Sequence, residues 1–175
     1  LSTTQISALT TSGISALSGD QVVALGTSNL TALSTSQLQA LNSKSLSSLT
    51  TSQVSALGTS GISSLKPSQL SSLSTTDIAS LSTDQLIALG TSGIAALTTS
   101  QIKSIDPSKI SALTPSQLSS LTSSELSSLS SSQITALGTS GITAFTGSQI
   151  KSLAAAALYK RQTLFFAQQQ AIRSS

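Results

Sequence analysis

The side chains that could perform chemistry in this 175-residue chain are hydroxyls, amides and a few charges. The sequence contains no His and no Cys, which excludes thiol nucleophiles, disulfides and zinc or haem sites built on those residues. Serine is abundant, but without His it cannot form a Ser-His-Asp triad. The acids are too scattered for a carboxylate pair or a calcium loop: Asp20, Asp77, Asp84, Asp106 and Glu125. We therefore expect no enzymatic activity, no cofactor and no metal.

Only 7% of the residues are charged, and the net charge of +3 is located in one place. Five lysines balance the five acids within residues 1–153, so the excess comes from Lys160, Arg161 and Arg173. A basic terminal segment is not a basic face, and we expect no nucleic-acid partner. No apolar run approaches the ~20 residues of a membrane span. The chain begins at Leu1 rather than Met, which is typical of a processed product or an excerpt.

The amides belong to a repeat of eight residues, here called an octad. Aligned from Leu1, nineteen consecutive octads end at Ser152 without insertion or deletion. The first position is Leu except at Ile105 and Phe145, and the sixth is always Ile, Leu or Val. Such a register can bury a continuous core, which distinguishes the chain from a disordered Ser/Thr tract.

A second period of sixteen residues is superposed on the octads. The fifth position is Gln in every odd octad and never in an even one. These glutamines could cap helices, stack as a ladder along one edge, or form a docking surface. They are Gln5, Gln21, Gln37, Gln53, Gln69, Gln85, Gln101, Gln117, Gln133 and Gln149.

The elements that position these residues are expected to be short helices beginning at the second position. That position is mostly Ser, Thr, Gly, Asn or Asp, the residues preferred at N-caps. The three prolines, Pro67, Pro107 and Pro115, follow it directly, at the favoured first helical position. In odd octads the Gln falls three residues after the cap, as in Ser34 to Gln37, which is a capping box.

We predict an all-α solenoid of short capped helices over residues 1–153, with two octads, or sixteen residues, per coil. About nine and a half such coils would make a rod roughly 75–95 Å long at ~8–10 Å per helix layer. The alternative is a β-solenoid, favoured by the Thr, Ile and Val content. It would place the first and sixth positions on opposite faces of a strand.

Residues 154–175 break the octad rule and form the second predicted unit, a C-terminal helical cap or docking tail. Three of the four aromatic residues lie there. No comparable cap precedes the first octad, so a head-to-tail contact that generates a fibre is expected. The candidate assembly residues are Leu158, Tyr159, Leu164, Phe165, Phe166 and Ile172.

Two resemblances bear on this interpretation. Segments such as Gly19-Asp-Gln-Val-Val-Ala-Leu25 and Leu113-Thr-Pro-Ser-Gln-Leu118 resemble the start of the first helix in TAL-effector repeats, which implies a capped helix and nothing about DNA. The short Leu-Thr-x-x-Gln-Ile-x-Ala units resemble octapeptide-repeat regions of large secreted bacterial surface proteins.

We accordingly expect a structural, self-associating fibre or surface-layer component, extracellular or at a bacterial cell surface, whose main partner is a second copy. The alternative is an adhesin or binding module whose Ser/Thr/Gln face recognises a periodic ligand such as a glycan or ice. Filaments formed by the pure protein without ligand would favour the first.

Overall fold

A computed structural model describes residues 2–156 of the chain, and every regular element within that range is a helix. This confirms the predicted all-α fold. The described residues contain no strand, so they do not form the alternative β-solenoid. Residues 147–156 are also helical. The other helices, numbered as their octads, are α1 Thr3–Ser7, α2 Thr11–Ser15, α3 Gly19–Ala24, α4 Gly26–Thr31, α5 Thr35–Leu38, α6 Ser43–Ser47, α7 Thr51–Ala56, α8 Gly58–Ser64, α9 Pro67–Leu70, α10 Thr75–Ser80, α11 Thr83–Ala88, α12 Gly90–Ile94, α13 Thr99–Ser104, α14 Pro107–Ile110, α15 Pro115–Ser119, α16 Ser123–Ser128 and α17 Ser131–Thr143. The last of these, α17, covers octads 17 and 18 and is interrupted at Gly138 (φ 58°, ψ −168°).

Most helices begin where the sequence predicts, whereas α4, α8 and α12 begin one residue earlier, at the second-position glycine. Ser34, in the second position, has extended backbone angles (φ −68°, ψ 163°) and its hydroxyl accepts from the Gln37 N–H. The three prolines occupy the first helical position of α9, α14 and α15. The last turn tightens, because the N–H of the next Leu donates to the sixth-position carbonyl three residues earlier, as in Leu41 to Leu38 at 3.2 Å. Most of the helices are therefore only four to six residues long.

Three helices, not two, complete one coil, which corrects the predicted sixteen-residue coil. Each helix packs on the one three places further along the chain, as α7 does on α10 and α10 on α13. One coil thus consists of three octads. Nineteen octads make about six coils, and at ~8–10 Å per layer the rod is roughly 50–65 Å long.

Short corners separate the helices of one coil. At most corners only the Leu of the first position and the capping residue are extended, as at Leu65 (ψ 141°) and Lys66 (ψ 153°). These extended residues redirect the chain between successive helices, and the packing of each helix on the third one further along makes the coil three-sided. Gln recurs every two octads, whereas a coil contains three helices, so the period of Gln does not report the number of helices per coil.

The core runs continuously along the rod axis and is filled by the first and sixth positions. Each interior coil contributes six large aliphatic side chains. In the coil of α13 to α15 all six are at most 4% exposed: Ile102, Ile105, Ile110, Leu113, Leu118 and Leu121. Because each fully buried Leu or Ile stabilises by about 1.5–3 kcal/mol, stacking rather than helix propensity stabilises these short helices.

Candidate functional site

Nine of the ten odd-octad glutamines form the predicted capping box, and Gln69 is the exception. In α13 the Thr98 N–H donates to Gln101 Oε1 at 2.7 Å, and the Gln101 N–H donates to Thr98 Oγ1 at 3.2 Å. The arrangement extends from Ser2 with Gln5 to Thr146 with Gln149. At α9 the capping residue is Lys66, whose side chain cannot accept, so only its N–H bond to Gln69 Oε1 forms.

The amide nitrogen of the same glutamine bonds to the preceding coil. Gln101 Nε2 donates to Leu70 O at 2.9 Å and to Leu73 O at 2.7 Å. Leu73 follows the end of α9, whereas Leu70 O also accepts from the Leu73 N–H at 3.2 Å, so the amide adds a second donor to it. The amides that make this inter-coil bond lie 27–31 residues after their acceptors and are at most 7% exposed: Gln37, Gln53, Gln69, Gln85, Gln101, Gln117, Gln133 and Gln149.

The glutamines do not form a row along one edge. Because Gln recurs every two octads while the coil closes every three, successive glutamines fall on different sides of the rod. They lie inside, between coils, so the ladder and docking-surface interpretations do not apply to the eight buried ones. Gln5 and Gln21, in the first coil, are exposed.

In even octads, other side chains at the fifth position can donate to carbonyls of the preceding coil. Lys109 Nζ donates to Ala79 O and Leu81 O, both at 2.8 Å. Ser45 Oγ donates to Leu17 O at 2.6 Å. Asp77 and Glu125 are 2% and 3% exposed and retain the capping bond. Their carboxylates have no hydrogen to donate when ionised.

Four corners carry a glycine in place of the capping residue. Leu57 has ψ −22° and Gly58 has φ +63°, whereas a regular corner has a Leu ψ near that of Leu65, 141°. The peptide between them is therefore flipped, and Leu57 O accepts from the Gly61 N–H at 3.0 Å. This backbone bond replaces the missing hydroxyl cap. The positive-φ glycines are Gly26, Gly58, Gly90 and Gly138.

The flip also removes an acceptor from the next coil. At the regular corner, Leu41 O accepts from Gln69 Nε2 at 2.9 Å. At the flipped corner, Gln85 Nε2 bonds instead to Val54 O and Ser55 O. The second glycine of each Gly-Thr-Ser-Gly segment has a steric reason, because a Cβ on Gly61 would lie 2.8 Å from Leu57 Cβ.

The outer surface is built of Ser and Thr, many of whose hydroxyls bond to the backbone. Ser104 Oγ donates to Gln101 O at 2.7 Å and to Thr75 O of the preceding coil at 3.0 Å. Five threonines at the third position lie on stacked helices and define the threonine face: Thr3, Thr27, Thr51, Thr75 and Thr99.

Few charged groups interact on this surface. The Ser108 hydroxyl and backbone N–H donate to the exposed Asp106 carboxylate and lower its pKa. Lys103 lines an open depression of about 600 Å³ whose other walls are Ser and Thr side chains.

Two properties of the described residues concern metals and membranes. Within residues 2–156 no three acidic side chains approach closely enough to hold a metal ion. No helix in that range is both long and apolar enough to cross a bilayer. The predicted assembly residues from Leu158 to Ile172 lie outside the described residues, and the boundary at residue 153 stays a prediction.

The inter-coil bond of the glutamines escaped sequence analysis, although a signal for it exists. Glu serves a capping box as well as Gln does, yet Glu never occurs at the fifth position of the ten odd octads. Exclusive use of the amide indicates that its N–H donors are needed. The glycine corners carry a similar signal, since Gly at the second and fifth positions recurs as a pair.

The comparisons with known proteins identify a repeat protein. The chain matches the ALTTAQ repeat family at residues 1–27, 22–59 and 30–67. The second and third matches are displaced by one octad at both ends. No curated protein and no solved structure matches the chain. The resemblances to TAL effectors and to octapeptide-repeat surface proteins stay predictions; the matches and the packing together establish a helical repeat protein.

Proposed function

We propose that the chain is a non-enzymatic structural component of an extracellular, self-associating fibre. The observation that carries this proposal is the repeated coil interface, in which amide donors and aliphatic side chains of one coil meet carbonyls and aliphatic side chains of the previous one. An interface that recurs along a rod can also recur between rods, and a non-closing end-to-end contact generates a filament.

The surface supports a role in which the rod is a spacer rather than a catalyst. Ser and Thr cover the outside, and their hydroxyls bond to nearby carbonyls, as in Ser71 to Ser68 at 3.1 Å. Charged residues make up only 7% of the chain. Such a coat suits glycosylation outside the cell, and this location is part of the proposal.

Electron microscopy of the purified chain tests the proposal directly. We expect rods that associate end to end without ligand, with a filament length that increases with protein concentration. Sedimentation velocity over a hundredfold range of concentration measures the same equilibrium in solution. A species that stays monomeric over that range, with helical circular dichroism, would contradict self-association.

The threonine face supports a second candidate function, a module that binds a periodic hydroxyl-rich surface. Thr3, Thr27, Thr75 and Thr99 are exposed, and Thr51 is half-buried. They recur once per coil on a side, made by α1, α4, α7, α10 and α13, whose one exposed charged side chain between residues 2 and 104 is Lys103.

Binding of the monomer to crystalline polysaccharide or to ice tests this alternative. Thr27→Lys and Thr75→Lys should abolish binding if the threonine face is responsible. Thr35→Lys and Thr59→Lys are matched controls, since both residues are exposed third-position threonines on another side of the rod. Equal binding by all four variants would exclude the threonine face.

A further inference from the structure

One side of the rod, built by the stacked helices α1, α4, α7, α10, α13 and α16, exposes no acid within residues 2–128. Its two acids, Asp77 and Glu125, are only 2% and 3% exposed. Lys103 of α13 is exposed on this side, so the exposed charge there is positive. The exposed acids belong to the other two sides, in α3, in α11 and at the start of α14: Asp20, Asp84 and Asp106.

Lys103 lies in the wall of an open depression of about 600 Å³, here called the polar depression. Sites for small ligands occupy about 300–1,000 Å³, and an open site of this size suits a short stretch of an extended polymer. The other walls come from α13, the end of α16 and the start of α17: Thr99, Ser100, Ser127, Ser128, Ser130 and Ser131.

The hydroxyls of the polar depression offer both hydrogens and lone pairs to a ligand. Within the described part of the chain, the hydroxyls of Thr99, Ser100 and Ser131 make no hydrogen bond. Ser128 Oγ donates to Glu125 O at 2.6 Å, which leaves its lone pairs to accept. A hydroxyl ligand both donates and accepts, so a sugar matches this lining.

The charge and the composition of the lining restrict the class of ligand further. Lys103 Nζ makes no hydrogen bond or ion pair with any described residue, so it is available to an anion. The Glu125 carboxylate accepts from the Thr122 N–H at the start of α16, whereas the end of that helix lines the depression. No aromatic or large aliphatic side chain is among the described lining residues, which disfavours stacked nucleobases and the apolar anchors of a protein partner.

We propose that the polar depression binds an acidic oligosaccharide. A uronic acid carboxylate of the ligand pairs with the Lys103 ammonium, and the ring hydroxyls exchange hydrogen bonds with the Ser and Thr hydroxyls of the walls. This inference goes beyond the proposed fibre and does not depend on self-association.

Isothermal titration calorimetry of the full chain with tetragalacturonate tests the inference, and the fully methyl-esterified tetramer is the matched neutral ligand. We expect the acidic tetramer to bind with an affinity that falls as salt screens the charges. The ester should bind at least about tenfold more weakly, because it lacks the charge-assisted bond. Lys103→Gln should lose the same factor for the acidic tetramer, and Lys44→Gln, an exposed lysine of α6, should bind as the wild type does.

A second pair of variants uses charge repulsion. Ser100→Glu places a carboxylate in the wall of the polar depression and should abolish binding of the acidic tetramer. Ser92→Glu is the matched control, because Ser92 is exposed at the same octad position of α12, on another side of the rod. Circular dichroism should show that both variants fold.

The outcomes separate this inference from the proposed function. Binding by the wild type and both controls, but not by Lys103→Gln or Ser100→Glu, supports it whether or not the chain forms filaments. A wild type that binds neither tetramer, or Lys103→Gln with unchanged affinity, would overturn it and leave the fibre proposal intact. Tighter binding of an acidic peptide or an oligonucleotide that Lys103→Gln abolishes would also overturn the assignment to a sugar.

Discussion

At the residue scale, each buried glutamine uses one side-chain amide both to cap its own helix and to bond to the preceding coil. Its oxygen accepts at the start of its own helix, and its nitrogen donates to the end of a helix in the preceding coil. Gln101 makes both bonds and is 2% exposed. Gln5 makes only the first. The two positions therefore allow the inter-coil bond to be measured separately from the cap.

We expect Gln101→Ala to lower the free energy of unfolding by about 2–4 kcal/mol, because it removes half a capping box and leaves the buried Leu70 and Leu73 carbonyls without this donor. Gln5→Ala, the control, should cost only about 0.5–1 kcal/mol, as for loss of a cap. Urea titrations followed by circular dichroism measure both. Equal losses would mean that the inter-coil bond contributes nothing.

Glu125 is a position where a substitution should increase the stability of the fold. It occupies the place of Gln and is 3% exposed, with Oε2 accepting from the Thr122 N–H at 2.6 Å. An ionised buried carboxylate is poorly solvated and cannot donate to carbonyls of the previous coil. Gln101 lies 31 and 28 residues after its two acceptors, Leu70 and Leu73. Counted back from Glu125, the same separations lead to Ile94 and Leu97, whose carbonyls an amide at this position would reach.

Glu125→Gln should therefore raise the free energy of unfolding at neutral pH by about 1 kcal/mol, the net value of a hydrogen bond. Asp84→Asn is the matched control, because Asp84 is exposed in the first turn of α11. It should change stability by no more than a few tenths of a kcal/mol in the destabilising direction. Destabilisation by Glu125→Gln would contradict the assignment.

At the element scale, the chain has two ways of turning a corner. A regular corner uses an extended Leu and a side-chain cap, and leaves the Leu carbonyl for the next coil. A glycine corner such as Leu57–Gly58 flips the peptide and keeps the Leu carbonyl for its own helix. Three of the four such corners also carry a second glycine, as at Gly61, and the Gly26 corner has Asn29 there. The two glycines are thus coupled through one peptide orientation.

This coupling predicts non-additive substitutions. Gly58→Ser alone should cost about 1 kcal/mol, since L residues disfavour φ near +60°. Gly61→Gln alone should cost about 1–3 kcal/mol through the clash with Leu57 Cβ. The double variant permits the regular corner with a Ser-x-x-Gln capping box, so its loss should fall below the sum by at least about 1 kcal/mol. Additive losses in urea titrations would show that the corner cannot convert.

At the scale of the whole molecule, sequence reasoning predicts the octad register, the helix starts, the capping boxes and the core positions, because each depends on residues close along the chain. The number of helices per coil depends on the angle at each corner, which no single residue reports. The alternation of Gln between octads favours a coil of two helices, and that prediction is wrong. The acceptors of the Gln101 amide, Leu70 and Leu73, follow only once the coil is known to contain three helices.

The three-sided coil has a consequence for contacts between distant residues. Ser52 and Thr76 are exposed fourth-position residues three octads apart, on the stacked helices α7 and α10. Ser68, only two octads after Ser52, is exposed at the same position of α9, on a different side of the rod. Packed helices lie about 8–10 Å apart, within the reach of a short bismaleimide.

We expect rapid intramolecular crosslinking of Ser52→Cys with Thr76→Cys in dilute folded protein, and little with Ser68→Cys. In concentrated urea the preference should reverse slightly, because closing the shorter loop of an unfolded chain costs less entropy. The reversal shows that folded geometry, rather than separation along the chain, selects the pair three octads apart. Faster crosslinking of the pair two octads apart in the folded protein would instead require two helices per coil.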